Sequence, residues 1–357
     1  MSKHDDLSAV LSTLPDWMTG EGDEDDVVLL SRMSLNRNAE EFLFPHRMDS
    51  SSLLPLLSGC DESVRNMYGQ SRSYELNGTD DHTITLLREE LCLPESADPR
   101  RPGRRLYRDS SGNRAFLVNS QDHFSLLSFM PGFQPNLQYQ TLEKMDDILE
   151  QRFSYAVSMD LGYLRSKIER VGNGIQADIW LHLPALSRFG NFSEVLAHAQ
   201  REGMQLSSFG SRGDSSLGQV YQLSCRGVLG DNEAETLEKL ALVVLEFIHY
   251  ERESRRSLME GGTLEFIDVL WRDYAVLRHS RLLGLRESFE LLSRLSLGQS
   301  LGILPGDRAV SRALFFLTQP AHIRHVSGSE GEGEESEQTV DDFARQRADI
   351  FRLGLSS

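Results

Sequence analysis

The stretch "GIQADIWLHLPAL", residues 174–186, decides how the rest of the chain is read. Ile175, Ala177, Ile179, Leu181 and Leu183 alternate with Gln176, Asp178, Trp180 and His182. A period of two sends successive side chains to opposite faces of a strand, so this is a strand with one apolar face turned to a core. Trp180 and His182 read as packing residues. Upstream, "AFLV" (115–118) and "FSLLSF" (124–129) read as two more strands around a polar knot, "NSQDH" (119–123), followed by a Pro-Gly turn. Downstream, "SEVLAHAQREGMQL" (193–206) reads as a helix then a strand, and "SSLGQVYQLSCRGVLG" (215–230) as another strand.

The flanks are mostly helical. Residues 1–26 read as a short helix and an acidic linker. "VVLLSRMSLNRN" (27–38) starts as a buried strand or loop and ends in an Arg- and Asn-rich turn. Residues 50–92 look helical with broken periodicity. Residues 93–114, with three prolines and six arginines, read as a loop that is either a hairpin or a mobile flap. Leu142, Met145, Leu149 and Phe153 form one stripe of a helix over 138–157. A long helix spans 231–256, with Asp231 as N-cap and Leu237, Leu240, Ala241, Val244, Leu245 and Ile248 as its buried face. Residues 262–325 are mostly helical, 328–338 form an acidic Gly/Ser loop that is disordered by composition, and 339–353 form a last helix.

The pattern predicts an α+β fold: a small N-terminal helical part (1–26), a mainly antiparallel sheet domain with helices on one face (27–260), and a C-terminal helical domain (261–357). The 357 residues carry 37 Lys plus Arg against 54 Asp plus Glu, a net charge of −17, which argues against broad nucleic-acid binding. Cys60, Cys92 and Cys225 are far apart and form no CxxC pair, so neither a zinc cage nor a disulfide framework is indicated. Buried free thiols in a reducing cytoplasm are expected. No apolar run is long enough to span a membrane.

Several segments together resemble the ATP:guanido phosphotransferase (phosphagen kinase) superfamily, nearest its bacterial protein arginine kinases. "VVLLSRMSLNRNAEEFLFPHRM" (27–48) is similar to the family's "VLSSRIRLARN…FPHRM", and "NSQDH…FMPGFQ" to "NEEDH…FPGFQ". "LGYLRSKIERVGNGIQADIWLHLPAL" (161–186), "GQVYQLSCRGVLGDNEAE" (218–235) and "ERESRR" (251–256) continue in register. "LGQSLGIL" (297–304) and "FFLTQP" (315–320) resemble the tail of the protein-arginine kinase branch. The resemblance implies a phosphoryl transfer from ATP, with magnesium, to a guanidinium nitrogen. Arginines clamp the phosphates in such a site, and carboxylates hold and deprotonate the acceptor.

By the same register, the functional positions have changed. Among the implied nucleotide-binding positions Arg32 is kept, while Ser34, Ser125, Gln176 and Ser207 stand where clamp arginines are implied; His123 is kept as well. At the implied catalytic positions, Ser120 and Gln121 replace the two glutamates of "NEEDH", Lys167 replaces a cysteine, and Arg212 replaces a second substrate glutamate. An amide neither accepts a proton nor balances a cation. ATP and magnesium are therefore implied by the family and opposed by these replacements.

The expectation is a cytoplasmic pseudokinase that acts by protein binding in bacterial stress response or proteolysis. Its partner would be an active arginine kinase, that kinase's activator or a chaperone–protease component, with a homodimer as a further arrangement. Two alternatives stand beside it: a divergent active kinase with relocated residues, and a nucleotide or anion sensor. A carboxylate opposite Arg32 would favour the active kinase, with Asp178, Asp214 and Glu169 as candidates. Asp122 and His123 are read as loop ties, Arg47 as half of an ion pair, and Arg165, Lys167, Arg170 and Arg212 as a cationic rim. In the tail, Asp341 and Asp342 replace an Arg-Asp pair implied for a phosphoarginine receptor; Arg345 or Arg347 would have to substitute.

Overall fold

The structure is a computed structural model that describes residues 11, 14–94, 98–210, 216–227, 229–261, 264–328 and 337–355. At its centre lies β1 (Val28–Arg37), flanked by β5 (Phe124–Pro131) and β8 (Ile175–His182). These belong to an eight-stranded sheet of order β2-β3-β4-β5-β1-β8-β10-β9, antiparallel throughout. The other strands are β2 (Ser71–Glu75), β3 (Arg105–Asp109), β4 (Arg114–Val118), β9 (Gln205–Ser208) and β10 (Val220–Arg226). A separate ribbon pairs β6 (Val157–Ser158) with β7 (Gly162–Tyr163).

Several sequence expectations are corrected here. The end of β1 is strand, not turn: Asn36 pairs with Ser125 and Arg37 with Phe124. Polar residues survive there because they find partners. Arg37 is buried, donates to Asp146 at 2.8 Å and to Asn173 O at 3.0 Å, and lies 3.6 Å over the Tyr163 ring. The broken periodicity of 50–92 hides the edge strand β2 between α1 (Ser50–Tyr68) and α2 (Asp81–Glu89). Residues 105–118 form the β3–β4 hairpin. Helix α3 (Pro135–Glu150) stops before Phe153, although Phe153 still joins the core.

Helix α4 (Phe192–Arg201) precedes β9, and α5 (Glu233–Glu260) is capped by Asn232, not Asp231. Asn232 Oδ1 accepts from Glu235 N and Glu235 accepts from Asn232 N, a reciprocal capping box. Asp231 instead pairs with Lys239 at 2.7 Å. Leu245, expected inside, is 47% exposed, and Val243 and Phe247 take its place in the core.

The sheet is covered on both faces, where one was expected. On the first face, Met33, Leu35, Ile175, Ala177, Ile179 and Leu181 meet α1, α3, α4 and α5. On the second, Leu30, Phe129, Trp180 and Val220 pack with residues of α2 and of the C-terminal helices α6 (Leu264–His279), α7 (Leu285–Ser300), α8 (Arg308–Leu317), α9 (Pro320–Ser327) and α10 (Glu337–Gly354). His182 points into that second layer. Its Nε2 donates to Ser293 Oγ on α7 at 2.8 Å, which donates onward to Gln219 Oε1 at 3.0 Å. Burial, reinforced by the charge of Arg255, pushes the His182 imidazole down to about 3, so it sits there neutral.

Residues 14–26 are not a linker but a strap across the second face. Trp17 and Met18 are fully buried. The Trp17 ring stacks on Phe129 at 5.7 Å and meets Phe316 of α8 edge-on at 4.9 Å. Asp25 pairs with Arg308 and Arg312 of α8, and Asp26 with Arg252 and Arg255 of α5. The strap thus ties the C-terminal helices to the sheet domain. The "PGF" turn fits under it: Gly132 has φ +62°, and a Cβ there would lie 2.1 Å from Asp23 O. No helix of the described residues is long and apolar enough to cross a membrane.

Candidate functional site

Along the second face the central strands change character. Leu30 sits beside Trp180, Arg32 beside Asp178 and Ser34 beside Gln176. One step further, Asn36 pairs with Ser125 of β5. The helical cover reaches the Leu30–Trp180 step. Beyond the Arg32–Asp178 step opens a cavity of about 580 Å³ whose lining includes Ser34, Asn36, Ser125 and Gln176.

Those four side chains form a neutral floor that bonds mainly to itself. Ser125 Oγ donates to Asn36 Oδ1 at 2.8 Å, and Asn36 Nδ2 donates to Ser34 Oγ at 3.0 Å and to Gly174 O at 3.1 Å. Gln176 Nε2 donates to Asp178 at 3.2 Å. Three of the implied clamp positions therefore do gather in one place, but without charge. The fourth, Ser207, lies on exposed β9, paired with Gln222 and outside the cavity lining.

Arg32 lines the cavity yet is engaged elsewhere. Its Nη2 donates to Asp178 at 2.6 Å, its Nη1 to Leu91 O at 2.7 Å, and its guanidinium lies 5.5 Å from the Trp180 ring. Asp178 lies beside Arg32, not opposite it. It also accepts from Ser224 at 2.6 Å and Gln222 at 2.8 Å. Burial would push the Asp178 carboxyl up, but the Arg32 charge and these hydrogen bonds outweigh it and hold it below the usual aspartate range. An unfolded aspartate titrates near about 4. The stabilisation from ionised Asp178 is thus fully present above that pH and lost as pH falls through the lower folded value. Asp178→Asn is expected to be less stable at neutral pH and to lose part of the acid-dependent fall below about pH 4, read from urea midpoints across that range.

The "NSQDH" knot divides in two. Ser120 and Gln121 face the cavity, and Gln121 Oε1 accepts from Arg170 Nη1. Asp122 and His123 turn inward. Asp122 accepts from Arg165 Nε at 2.6 Å, Asn38 Nδ2 at 2.8 Å and Ser166 N at 2.8 Å. His123 Nδ1 accepts from Ala39 N at 3.1 Å and its Nε2 lies 2.9 Å from Leu43 O, so no ring nitrogen is left for a nucleotide. Burial pushes its pKa down. Arg165, engaged by Asp122, does not line the cavity, whereas Lys167 and Arg170 do. Glu169 is exposed and outside the lining. Arg212 and Asp214 lie outside the described residues.

The remaining expectations shift as well. Arg47 has no ionic partner among the described residues; its neighbour His46 lines the cavity instead. In the tail, Arg347 is buried and donates to Thr318 O and Leu283 O, both at 2.9 Å, which leaves it structural. Asp341, Asp342 and Arg345 are exposed on α10.

The sequence reading missed three cavity cations. Arg226 pairs with Gln176 across β10 and β8, so a strand alignment of "QLSCR" with "IQAD" would have placed it. Arg101 and Arg104 come from the arginine-rich loop; Arg104 Nε donates to Asn119 O at 3.1 Å, which turns the loop toward the knot. Cys92 also lines the cavity, but burial pushes its thiol up to about 12, the opposite of an activated nucleophile.

Cations thus surround the cavity, and no carboxylate of the described residues lines it. An ATP–magnesium complex held by an arginine clamp does not fit this donor set. Three clamp positions present neutral groups, Ser34 and Ser125 joined through Asn36 and Gln176 tied to Asp178, and the one retained arginine is neutralised by Asp178.

Comparison with known proteins agrees with the fold. Residues 60–254 match the family model "ATP:guanido phosphotransferase, C-terminal catalytic domain", and residues 263–355 match "Protein-arginine kinase McsB C-terminal domain". The protein-arginine kinase of Brevibacillus brevis is 30% identical over 352 residues, 95% of this chain and 94% of that one. That of Halothermothrix orenii is 28% identical over 321 residues, 89% of this chain and 91% of its own. Among solved structures, lombricine kinase superposes with a TM-score of 0.56 at 17% identity, over 69% of this chain and 70% of that one. The duplicated taurocyamine kinase of Schistosoma mansoni, with transition-state analogue components bound, gives 0.55 at 21% identity, over 66% of this chain and 34% of that one. Both solved structures share the fold of the described sheet. With the catalytic-domain match across more than half its length and protein-arginine kinases aligned along nearly all of it, the chain belongs to the ATP:guanido phosphotransferase family, in the protein-arginine kinase branch.

Proposed function

We propose that this chain is a catalytically silent member of the protein-arginine kinase branch that acts by binding. One observation carries the reading: where an acceptor guanidinium would have to surrender a proton, the cavity offers the Gln121 amide, itself held by Arg170. A guanidinium titrates above about 12 and needs a carboxylate to relieve it. Lys167, Arg170 and Arg226 add positive charge on the side that a second cation would have to enter.

The contrast between packing and site supports a retained binding role. Both cores, the strap and the capping box are complete, while the chemical positions hold serine, glutamine and lysine. The partner in this reading is a cytoplasmic protein of bacterial stress response or proteolysis: an active arginine kinase, its activator or a chaperone–protease component.

The reading is tested by incubation with ATP, magnesium and an arginine-rich protein, followed by mass spectrometry at neutral pH. No phosphoarginine above a no-enzyme control is expected, and robust phosphoarginine would establish a divergent active kinase instead. Gln121→Glu is expected to restore no activity, because Arg170 is already in place to pair with the new carboxylate. A second reading, an anion sensor, is favoured by the cation excess around the cavity.

A further inference from the structure

We infer that the cavity is a metal-independent site for a compact phosphate-class polyanion, seated between Arg101 and Arg104 of the loop and Lys167, Arg170 and Arg226 of the opposite wall. The inference deepens the silent-kinase reading and rests on it in taking the pocket as a binding site only. Its ground is a contrast in ion pairing within one sheet. The five arginines of β1, β3 and β4 each hold a carboxylate: Arg32 with Asp178, Arg37 with Asp146, Arg105 with Asp61, Arg108 with Glu90, Arg114 with Asp109. Apart from Arg32, the five Lys and Arg side chains that line the cavity hold none among the described residues. In a chain with 54 acidic against 37 basic side chains, Arg104 is buried and Arg101 and Arg170 are half-buried without a carboxylate partner among the described residues, a costly arrangement unless something anionic enters the hollow.

The arrangement is built, not a loose rim. Arg104 is buried and fixed by backbone carbonyls, with Nε on Asn119 O at 3.1 Å, Nη2 on Ser120 O at 3.4 Å and Nη1 on Asp98 O. Carbonyls orient a guanidinium without cancelling its charge. Arg101 donates to Pro45 O, and Arg170 to Gln121. Burial and the charge of Arg226 both push Arg170 below the usual arginine range, a crowding that an anion would relieve. Lys167 and Arg226 are exposed at the mouth, free to close on a ligand.

The volume, about 580 Å³, lies within the range of small-molecule sites and leaves room for a phosphate chain rather than a single phosphate. With no lining carboxylate to hold it, magnesium has no place in this site. It would instead lower the charge of the ligand and weaken binding. An ATP–magnesium kinase site behaves in the opposite way.

The test is calorimetric titration of the full chain with sodium pyrophosphate, tripolyphosphate and ATP, first with a chelator at low ionic strength, then with excess magnesium. Metal-free tripolyphosphate is expected to bind, to weaken about tenfold with magnesium, and to weaken further with added salt. Lys167→Ala and Arg226→Gln, both at exposed positions, are each expected to cost about tenfold, or about 1.4 kcal/mol. Arg272→Gln, which breaks an exposed ion pair on α6, is expected to change nothing. ATP binding tenfold more tightly than tripolyphosphate would identify a nucleotide as the source, and equal affinities would identify the phosphate chain itself. No binding of any of the three at millimolar concentration, a requirement for magnesium, or affinity indifferent to Lys167 and Arg226 would overturn the inference. Such a failure leaves the silent-kinase reading standing, since that reading falls only if phosphoarginine is formed.

Discussion

Asp122→Ala is expected to remove about 3–5 kcal/mol from the stability of the fold, the usual cost of breaking a buried ion pair from one side. The side chains of Asp122 and Arg165 are 1% and 4% exposed, and their atoms meet at 2.6 Å. Without the carboxylate, Arg165 keeps its charge in a place that water does not reach. Asn38 Nδ2 and Ser166 N lose an acceptor in the same step. Asp122→Asn should recover part of the loss, because an amide oxygen can still accept from two of the three donors. Urea unfolding of the variants measures both effects. A loss under about 1 kcal/mol, the size of a surface pair, would mean that the knot is solvated.

Trp17→Ala is expected to cost a similar amount, about 3–5 kcal/mol, as for other buried aromatic truncations. The ring fills the space between Phe129 of the sheet and Phe316 of α8, so its loss opens a cavity on two sides. The effect should also be local in a particular way: the strap ought to become a site of limited proteolysis before the sheet does. Circular dichroism follows global unfolding, and mass spectrometry of the protease fragments locates the first cut. Cleavage that begins in the sheet, or a stability unchanged within about 0.5 kcal/mol, would contradict this account of the strap.

Much of this architecture is legible in the sequence, and the misses share a physical cause. The alternation of β8 is a local signal and reads cleanly. That its second face is covered by helices is not local: Trp180 and His182 read as packing residues, but what they pack against, such as Ser293 for His182, stands more than a hundred residues later. Asn36 and Arg37 look like turn residues because their polarity is local and their partners, Ser125 and Asp146, are not. The cap of α5 was within reach, because only Asn232 stands three residues before a glutamate, the spacing that a capping box needs.

The site divides along the same line. Positions in continuous motifs, Ser34, Gln121, Lys167 and Gln176, are identified by register with the family and do line one cavity. Arg101, Arg104 and Arg226 reach it through a loop and a strand pairing that no contiguous motif records. What was legible is therefore the replacement of charged groups at the motif positions; the cationic lining appears only when the strands are laid side by side.

The strap also bears on the order in which the molecule can be made. Met18 O accepts from Arg312 across 294 positions of the chain. A ribosome adds about 5–20 residues per second, so the strap waits roughly fifteen seconds to a minute for its partners. During that interval Trp17 and Met18 have no α8 to cover them. Half of the sheet is likewise uncovered until the last helices appear. The strap's longest exposure to chaperones and to aggregation thus falls before α8 is synthesised, and it comes to rest only after nearly three hundred later residues have been added.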